Sequence, residues 1–217
     1  MGSAGRSTVE FFYCASCPWT WLALARLREA VTRTGAAVSY RPILAAWIDD
    51  GPERFSDRSL TSRHPAVAAY ARKDLQDWAR FCGPEIRLPE AWPVTPEWAQ
   101  RGAVLAIESG VIRQYAESTF HACFTDGRDI AQRAVVLDLA SGCGMSGDAF
   151  EARLAADATG QALRRNTDEL ARRGGFASPT IFFGDDMYFG HDRMPLLEAA
   201  LMRSGERPFI APGEHGR

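Results

Sequence analysis

Residues 9–22 read Val9-Glu10-Phe11-Phe12-Tyr13-Cys14-Ala15-Ser16-Cys17-Pro18-Trp19-Thr20-Trp21-Leu22. The first five residues are rich in β-branched and aromatic side chains, which suits a short buried strand. Proline is favoured at a first helical position, because the amide it lacks would have no partner there. Pro18 therefore marks the start of a helix. From Trp19 onward apolar residues recur at helical spacing through Leu22, Ala23, Leu27, Ala30 and Val31, until Gly35 ends the pattern. Residues 37–43 read as a second strand. Strand, helix and strand within so short a span predict a parallel pair with a right-handed crossover.

Outward from this unit the pattern changes. Residues from about 46 to 173 show helical periodicities broken by Gly/Pro turns and need no strand. One helix opens at His64-Pro65-Ala66 and runs to Gly83-Pro84. Thr95-Pro96-Glu97-Trp98 reads as an N-cap with proline at the first helical position, opening a helix to Gly110. Further helices are expected over 111–124, 129–142, 146–155 and 157–173. Strand character returns at 179–183, then a turn at Gly184-Asp185-Asp186, a strand over 187–189 and a helix through Leu196, Leu197, Ala200 and Leu201. This order is the layout of an α/β thioredoxin fold carrying a large all-helical insertion. The expected division is a discontinuous thioredoxin-like domain of residues 8–45 and 175–205, an inserted helical domain of 46–174, and a tail of 206–217.

Bulk properties narrow the function. The chain has 217 residues, 46% hydrophobic and 24% charged, with a net charge of −2. That near-neutral balance gives no electrostatic case for nucleic acid or an anionic membrane surface, and no apolar run is long enough for a membrane span. The first eight residues lack the apolar stretch of a signal peptide, so a cytoplasmic location is expected. Five cysteines in such a chain read as reduced thiols, not as a disulfide framework. The four histidines form no ligand spacing with each other or with cysteine, so no metal is expected.

The chemistry is expected at Cys17-Pro18-Trp19-Thr20. An average free cysteine is a small buried hydrophobe. Cys17, however, sits where unpaired helical amides and the helix dipole favour an anion, which predicts a lowered thiol pKa and a candidate nucleophile. Thr20 stands where a two-cysteine redox motif has its second thiol. Its hydroxyl can hydrogen-bond a thiolate but cannot resolve a mixed disulfide. Cys14 gives a Cys14-Ala15-Ser16-Cys17 spacing, a possible redox pair, although Cys14 belongs to the strand end. Ser178-Pro179 would bring backbone opposite the thiol if its peptide bond were cis, whereas the dipeptide alone favours trans. Phe12, Trp19, Trp47, Trp92 and Trp98 are candidates to line an apolar pocket.

Residues 11–23 together with Gly175-Phe176-Ala177-Ser178-Pro179-Thr180-Ile181-Phe182-Phe183 and Gly190-His191-Asp192-Arg193-Met194 resemble the 2-hydroxychromene-2-carboxylate isomerases and kappa-class glutathione transferases. These belong to the DsbA-like part of the thioredoxin superfamily. Tyr40-Arg41-Pro42, Tyr70 with Asp74-Leu75 and Trp78-Ala79, Trp92-Pro93-Val94 and Gly127-Arg128-Asp129-Ile130 are similar to landmarks in the same order. The resemblance implies a glutathione-dependent isomerase or transferase of a small aromatic substrate, acting as a homodimer. It implies that Cys17 takes the place of the catalytic serine and that Cys17, Pro18 and Trp19 bind the cofactor. It further implies that Ser178 and a cis Pro179 present backbone to the glutathione cysteine, and that Asp192 and Arg193 lie near the γ-glutamyl end. The sequence departs from the pattern at Cys14, where an aspartate is usual, at Cys17 itself, at Val67 in place of a lysine, and at Asp49-Asp50-Gly51-Pro52 in place of an asparagine-containing loop. Three chemistries stay open: thiol-cofactor-dependent isomerisation or transfer, thiol-disulfide exchange with Cys14 or glutathione as resolving thiol, and direct covalent catalysis by Cys17.

Overall fold

A computed structural model describes residues 7–48, 60, 62, 64–90 and 92–203. The departure at Asp49-Asp50-Gly51-Pro52 and the tail lie outside the described residues. Strand β1 (Thr8–Tyr13) is central in a four-stranded sheet of order β2-β1-β3-β4. It runs parallel to β2 (Ala37–Pro42), with Phe11 opposite Tyr40, and antiparallel to β3 (Thr180–Phe183), with Phe11 opposite Ile181. β4 (Asp186–Phe189) extends the sheet as an antiparallel hairpin from β3. The parallel pair is joined by helix α1 (Pro18–Thr34), as the opening stretch requires.

Because successive strand side chains point to opposite faces, β1 feeds two cores. Val9, Phe11 and Tyr13 enter the main core beneath α1, with Leu22, Leu24 and Leu27. Phe12 and Cys14 enter a second cluster with Ile43, Leu170 and Phe182. All three β1 aromatics are essentially inaccessible, each contributing roughly 1.5–3 kcal/mol of burial. A strand buried on both faces reads as continuous apolar sequence without alternation, which is why residues 11–13 do.

The helical segment runs through α2 (Pro65–Cys82), α3 (Glu97–Glu108), α4 (Ile112–Phe124), α5 (Arg133–Gly142), α6 (Asp148–Ala155) and α7 (Asp157–Arg172). A helix α8 (Met194–Arg203) closes the described chain and packs on α1. α3 and α4 approach closely at Gly102: a Cβ there would lie 2.2 Å from the Tyr115 hydroxyl, which donates to the Ala99 carbonyl at 3.1 Å. α7 lays Leu170 against the sheet face opposite α1, and its Thr167 hydroxyl accepts from the Leu44 N–H at 3.2 Å.

Two expectations need correction. Pro96, not Thr95, is the N-cap of α3. Its ψ of 47° is not helical, so the helix starts one residue later than a proline at N1 would place it. The helix expected from 129 begins at Arg133, because the Asp129 carboxylate accepts from the Ala131 N–H at 3.0 Å and closes a turn instead. The Ser178-Pro179 bond is cis, against the dipeptide's own preference and in agreement with the resemblance, and Trp92-Pro93 is cis as well.

Candidate active site

Three segments converge on one spot: the end of β1, the first turn of α1 and the residue before β3. Residues 14–17 form a turn in which the Cys17 N–H donates to the Cys14 carbonyl at 3.2 Å. Cys17 then caps α1 with extended backbone (φ −95°, ψ 115°), and its carbonyl accepts the Thr20 N–H at 3.0 Å. Gln100 of α3 anchors the base of this turn. Its buried amide donates to the carbonyls of Tyr13, at 2.6 Å, and Ile43, at 2.8 Å, tying the ends of β1 and β2 to the helical segment.

Ser178 is the hub. Its Oγ accepts from the Cys14 N–H at 2.8 Å and lies 2.8 Å from the Thr20 hydroxyl. Its carbonyl accepts the Cys17 Sγ–H at 3.3 Å. Cys14, Cys17, Thr20, Ser178 and Pro179, all singled out in the sequence, are therefore brought together with Pro18 and Trp19 of the same helical turn. The Cys14 Sγ lies 3.5 Å from the Ser16 Oγ, and all five cysteines are free thiols.

The electrostatics reverse one expectation. Burial pushes the Cys17 thiol up to about 12, not down. The Thr20 hydroxyl and the N–H groups of Thr20 and Trp19 pull in the anionic direction, but loss of water around the sulfur outweighs them. The Cys17 proton has an acceptor in the Ser178 carbonyl, so the geometry and the raised pKa agree on a neutral S–H donor. Cys123 is likewise pushed up to about 12 by burial.

An aromatic wall stands beside the thiol. Trp19 stacks on His191 at 4.8 Å between ring centres, and Trp78 meets the same imidazole edge-on at 4.6 Å. The Trp92 indole N–H donates to the Ser16 carbonyl at 2.8 Å, fixing the turn from the other side. Of the five aromatic candidates, Trp19 and Trp92 reach the site. Phe12 points to the opposite sheet face, Trp47 packs under Arg164 at 4.1 Å, and Trp98 lies near the guanidinium groups of Arg101 and Arg133. Gln100 is a member that nothing in the sequence singled out, and Ser16, Trp78 and His191 stood out only within the resemblance. Gly190-His191 beside the acidic-basic pair was the available signal for the imidazole.

Asp192 and Arg193 sit on the 3-10 turn His191–Arg193, which packs on α1, and they pair with each other at 2.5 Å on the surface. Val67, in the position of the usual lysine, is half-exposed on α2. A groove of about 960 Å³ lies elsewhere, along the far side of α1 between Leu24, Arg28, Val31, Val38, Tyr40 and Arg113. The convergent thiols, hydroxyls and backbone groups make the turn at Cys14–Cys17 the candidate site, and that groove contains none of them. Among the described residues no cluster of His, Cys, Asp and Glu could hold a metal ion, and no helix is long and apolar enough to cross a membrane.

Comparison with known proteins agrees with this fold. Residues 8–202 match the model of the DSBA-like thioredoxin domain. A 2-hydroxychromene-2-carboxylate isomerase of Sphingobium xenophagum is 24% identical over 197 residues, covering 90% of this chain and 98% of its own. One of Pseudomonas putida is 27% identical over 203 residues, covering 90% and 94%. A solved 2-hydroxychromene-2-carboxylate isomerase superposes with a TM-score of 0.79 at 25% identity, covering 91% of this chain and 95% of that one.

Proposed function

Starting from the chain's membership of the DSBA-like thioredoxin domain family, we propose that it is a glutathione-dependent isomerase of a small aromatic substrate of the 2-hydroxychromene-2-carboxylate type. The observation that carries this reading is the neutral Cys17 S–H at the N-cap of α1, donating to the Ser178 carbonyl. A redox nucleophile needs a thiolate near neutral pH. A thiol held as a donor is suited instead to stabilising another molecule's sulfur anion, the part that a serine hydroxyl plays in the resembling family.

The residues present fit glutathione at its sulfur end. Cys17 offers the S–H, the first turn of α1 offers the Trp19 N–H, and Ser178 offers backbone beside them. Asp192, held on the adjoining turn, offers a carboxylate to the α-amino group. Glutathione, when bound, supplies a nucleophilic sulfur for reversible addition to an electrophilic substrate carbon. The chain's own part is to keep that sulfur anionic and oriented, and to hold an aromatic ring against Trp19, Trp78 and Trp92. Its free thiols suit a reducing, cytoplasmic setting.

The test is turnover. Purified chain freed of small thiols is mixed with a 2-hydroxychromene-2-carboxylate and followed by absorbance. Isomerisation that appears only on adding reduced glutathione supports the reading. Full activity without any thiol removes the cofactor from it.

A further inference from the structure

The groove on the far side of α1 is built from parts that the proposed reaction does not use. Leu24, Arg28 and Val31 recur at helical spacing and so share one face of α1. Val38 and Tyr40 of β2 also line the groove, as do Ile112 and Arg113, the first two residues of α4. Its volume of about 960 Å³ is that of a small-molecule site.

Its charge is one-sided. Arg28, Arg33 and Arg113 line it against the carboxylate of Glu29. Arg33 is engaged elsewhere, donating to both oxygens of Glu198 at 2.5 and 2.9 Å. Arg28 and Arg113 share one carboxylate, that of Glu117, which their Nε atoms approach at 3.2 and 3.8 Å. Glu117 belongs to the lining of a neighbouring pocket with Trp21 and His121. Its Oε1 has no hydrogen-bond partner among the described residues, so both guanidinium forks keep donors to offer. Two cations against one anion leave one positive charge in excess, and the positive end of the α4 dipole adds to it. Tyr40 is a second, independent sign. It is only 9% exposed, and its ring is held edge-on by Phe11 and Tyr13 at 6.1 and 6.0 Å. Its hydroxyl nevertheless has no hydrogen-bond partner among the described residues. Burial pushes that hydroxyl up to about 12, with Glu117 adding to the shift and Arg113 and Arg28 opposing it, so it stands among these charges as a neutral donor.

We infer that this groove is a second binding site for a small aryl monocarboxylate, whose carboxylate meets the Arg28 and Arg113 guanidinium groups and the Tyr40 hydroxyl while its ring lies on Leu24, Val31, Val38 and Ile112. A single excess charge matches a monoanion, and guanidinium forks match the two oxygens of a carboxylate. The apolar lining selects against a fully hydrated anion such as free phosphate, and the Trp21 indole in the same lining favours a flat ring. The site uses neither a thiol nor the turn at Cys17, so it stands or falls apart from the isomerase reading.

Isothermal titration of the full chain with 2-naphthoate tests it. 2-Naphthamide keeps the rings and loses the charge, and decanoate keeps the charge and loses the rings. The expected result is one saturable site for 2-naphthoate, weakened by added salt. The amide and decanoate should both bind more weakly than 2-naphthoate. Arg113→Met, at a largely exposed side chain, should weaken 2-naphthoate about tenfold, and Tyr40→Phe, which keeps the packed ring, should weaken it severalfold. Glu117→Gln removes the competing carboxylate and should tighten binding, a direction that loss of structure would not produce. Affinity unchanged in Arg113→Met and Tyr40→Phe places the ligand elsewhere and overturns the proposal. Equal binding of the amide, tighter binding of decanoate, weaker binding in a folded Glu117→Gln, or no binding of 2-naphthoate each overturns it as well. These readouts use no turnover, so an inactive chain that binds 2-naphthoate in this way contradicts the isomerase reading and leaves the site in place.

Discussion

A thiol whose folded pKa is about 12, against an ordinary value of 9.0, should be unreactive in a way that pH exposes. The perturbation is alkylation of the native chain by iodoacetamide across pH 7 to 11, with modification of Cys17 quantified in the peptide of residues 7–26. Only the thiolate reacts. At pH 8 an ordinary cysteine is about one-tenth ionised, whereas Cys17 is ionised to about one part in ten thousand, because each pH unit below the pKa is a factor of about ten. The predicted rate is therefore roughly a thousandfold below that of a free thiol. This is an upper bound, since Cys17 keeps part of its surface open to water. Steric shielding lowers the rate by one factor at every pH, while a raised pKa makes the rate climb about tenfold per unit without levelling near pH 9. A Cys17 profile that plateaus at or below pH 9 would refute the account of a buried, protonated donor and restore the helix-terminus thiolate.

The remaining predictions concern stability and positioning. Between pH 9 and 12 the unfolded chain gives up the Cys17 proton and the folded chain keeps it, so this contribution is whole below pH 9 and shrinks as pH rises. Urea unfolding at pH 8 and pH 10.5 should show a steeper loss for the unaltered chain than for Cys17→Ser; equal losses would contradict it. Gly102→Ala drives a Cβ to 2.2 Å from the Tyr115 hydroxyl and should cost about 1–3 kcal/mol, with Tyr115→Phe restoring part of it. An unchanged melting temperature in Gly102→Ala would show that α3 and α4 are looser than described. Ser178→Ala removes the acceptor of the Cys14 N–H and the Thr20 partner, and should destabilise by about 1–3 kcal/mol. Hydrogen exchange at the Cys14 amide, expected to quicken in Ser178→Ala, separates this hydrogen bond from a general loosening.

Much of this architecture is legible in the residues because local signals agree with the tertiary fold. Pro18 after an apolar strand and Gly35 after a periodic helix mark both ends of α1, and Gly35 does adopt φ +73°. The sheet's order follows from a parallel crossover unit plus a closing hairpin. What escapes is whatever depends on distant chain. Phe12 looks no different from Phe11 in sequence, yet strand alternation sends one to the Leu170 cluster and the other beneath α1. Pro96 and Asp129 are each compatible with a helix start, and it is the backbone angle at one and the side-chain turn at the other that decide. The Cys17 ionisation escapes for the same reason. The helix terminus is a local feature visible in sequence, but the burial that outweighs it appears only once the chain folds, as where Ser178, 161 residues away, meets the sulfur. Gln100, which holds the turn through carbonyls 57 and 87 residues away, carries no motif at all.

The central claim is that Cys17 donates a proton to a hydrogen bond while a separate thiol does the chemistry. It is tested most directly by isomerisation of a 2-hydroxychromene-2-carboxylate by the unaltered chain and by Cys17→Ser, each with reduced glutathione present and then removed. The account predicts that Cys17→Ser retains turnover within about tenfold, since a hydroxyl donates a hydrogen bond as a thiol does, and that both proteins fall silent without glutathione. Abolished turnover in a folded Cys17→Ser, with unaltered chain that works without glutathione, would make Cys17 the nucleophile and contradict it.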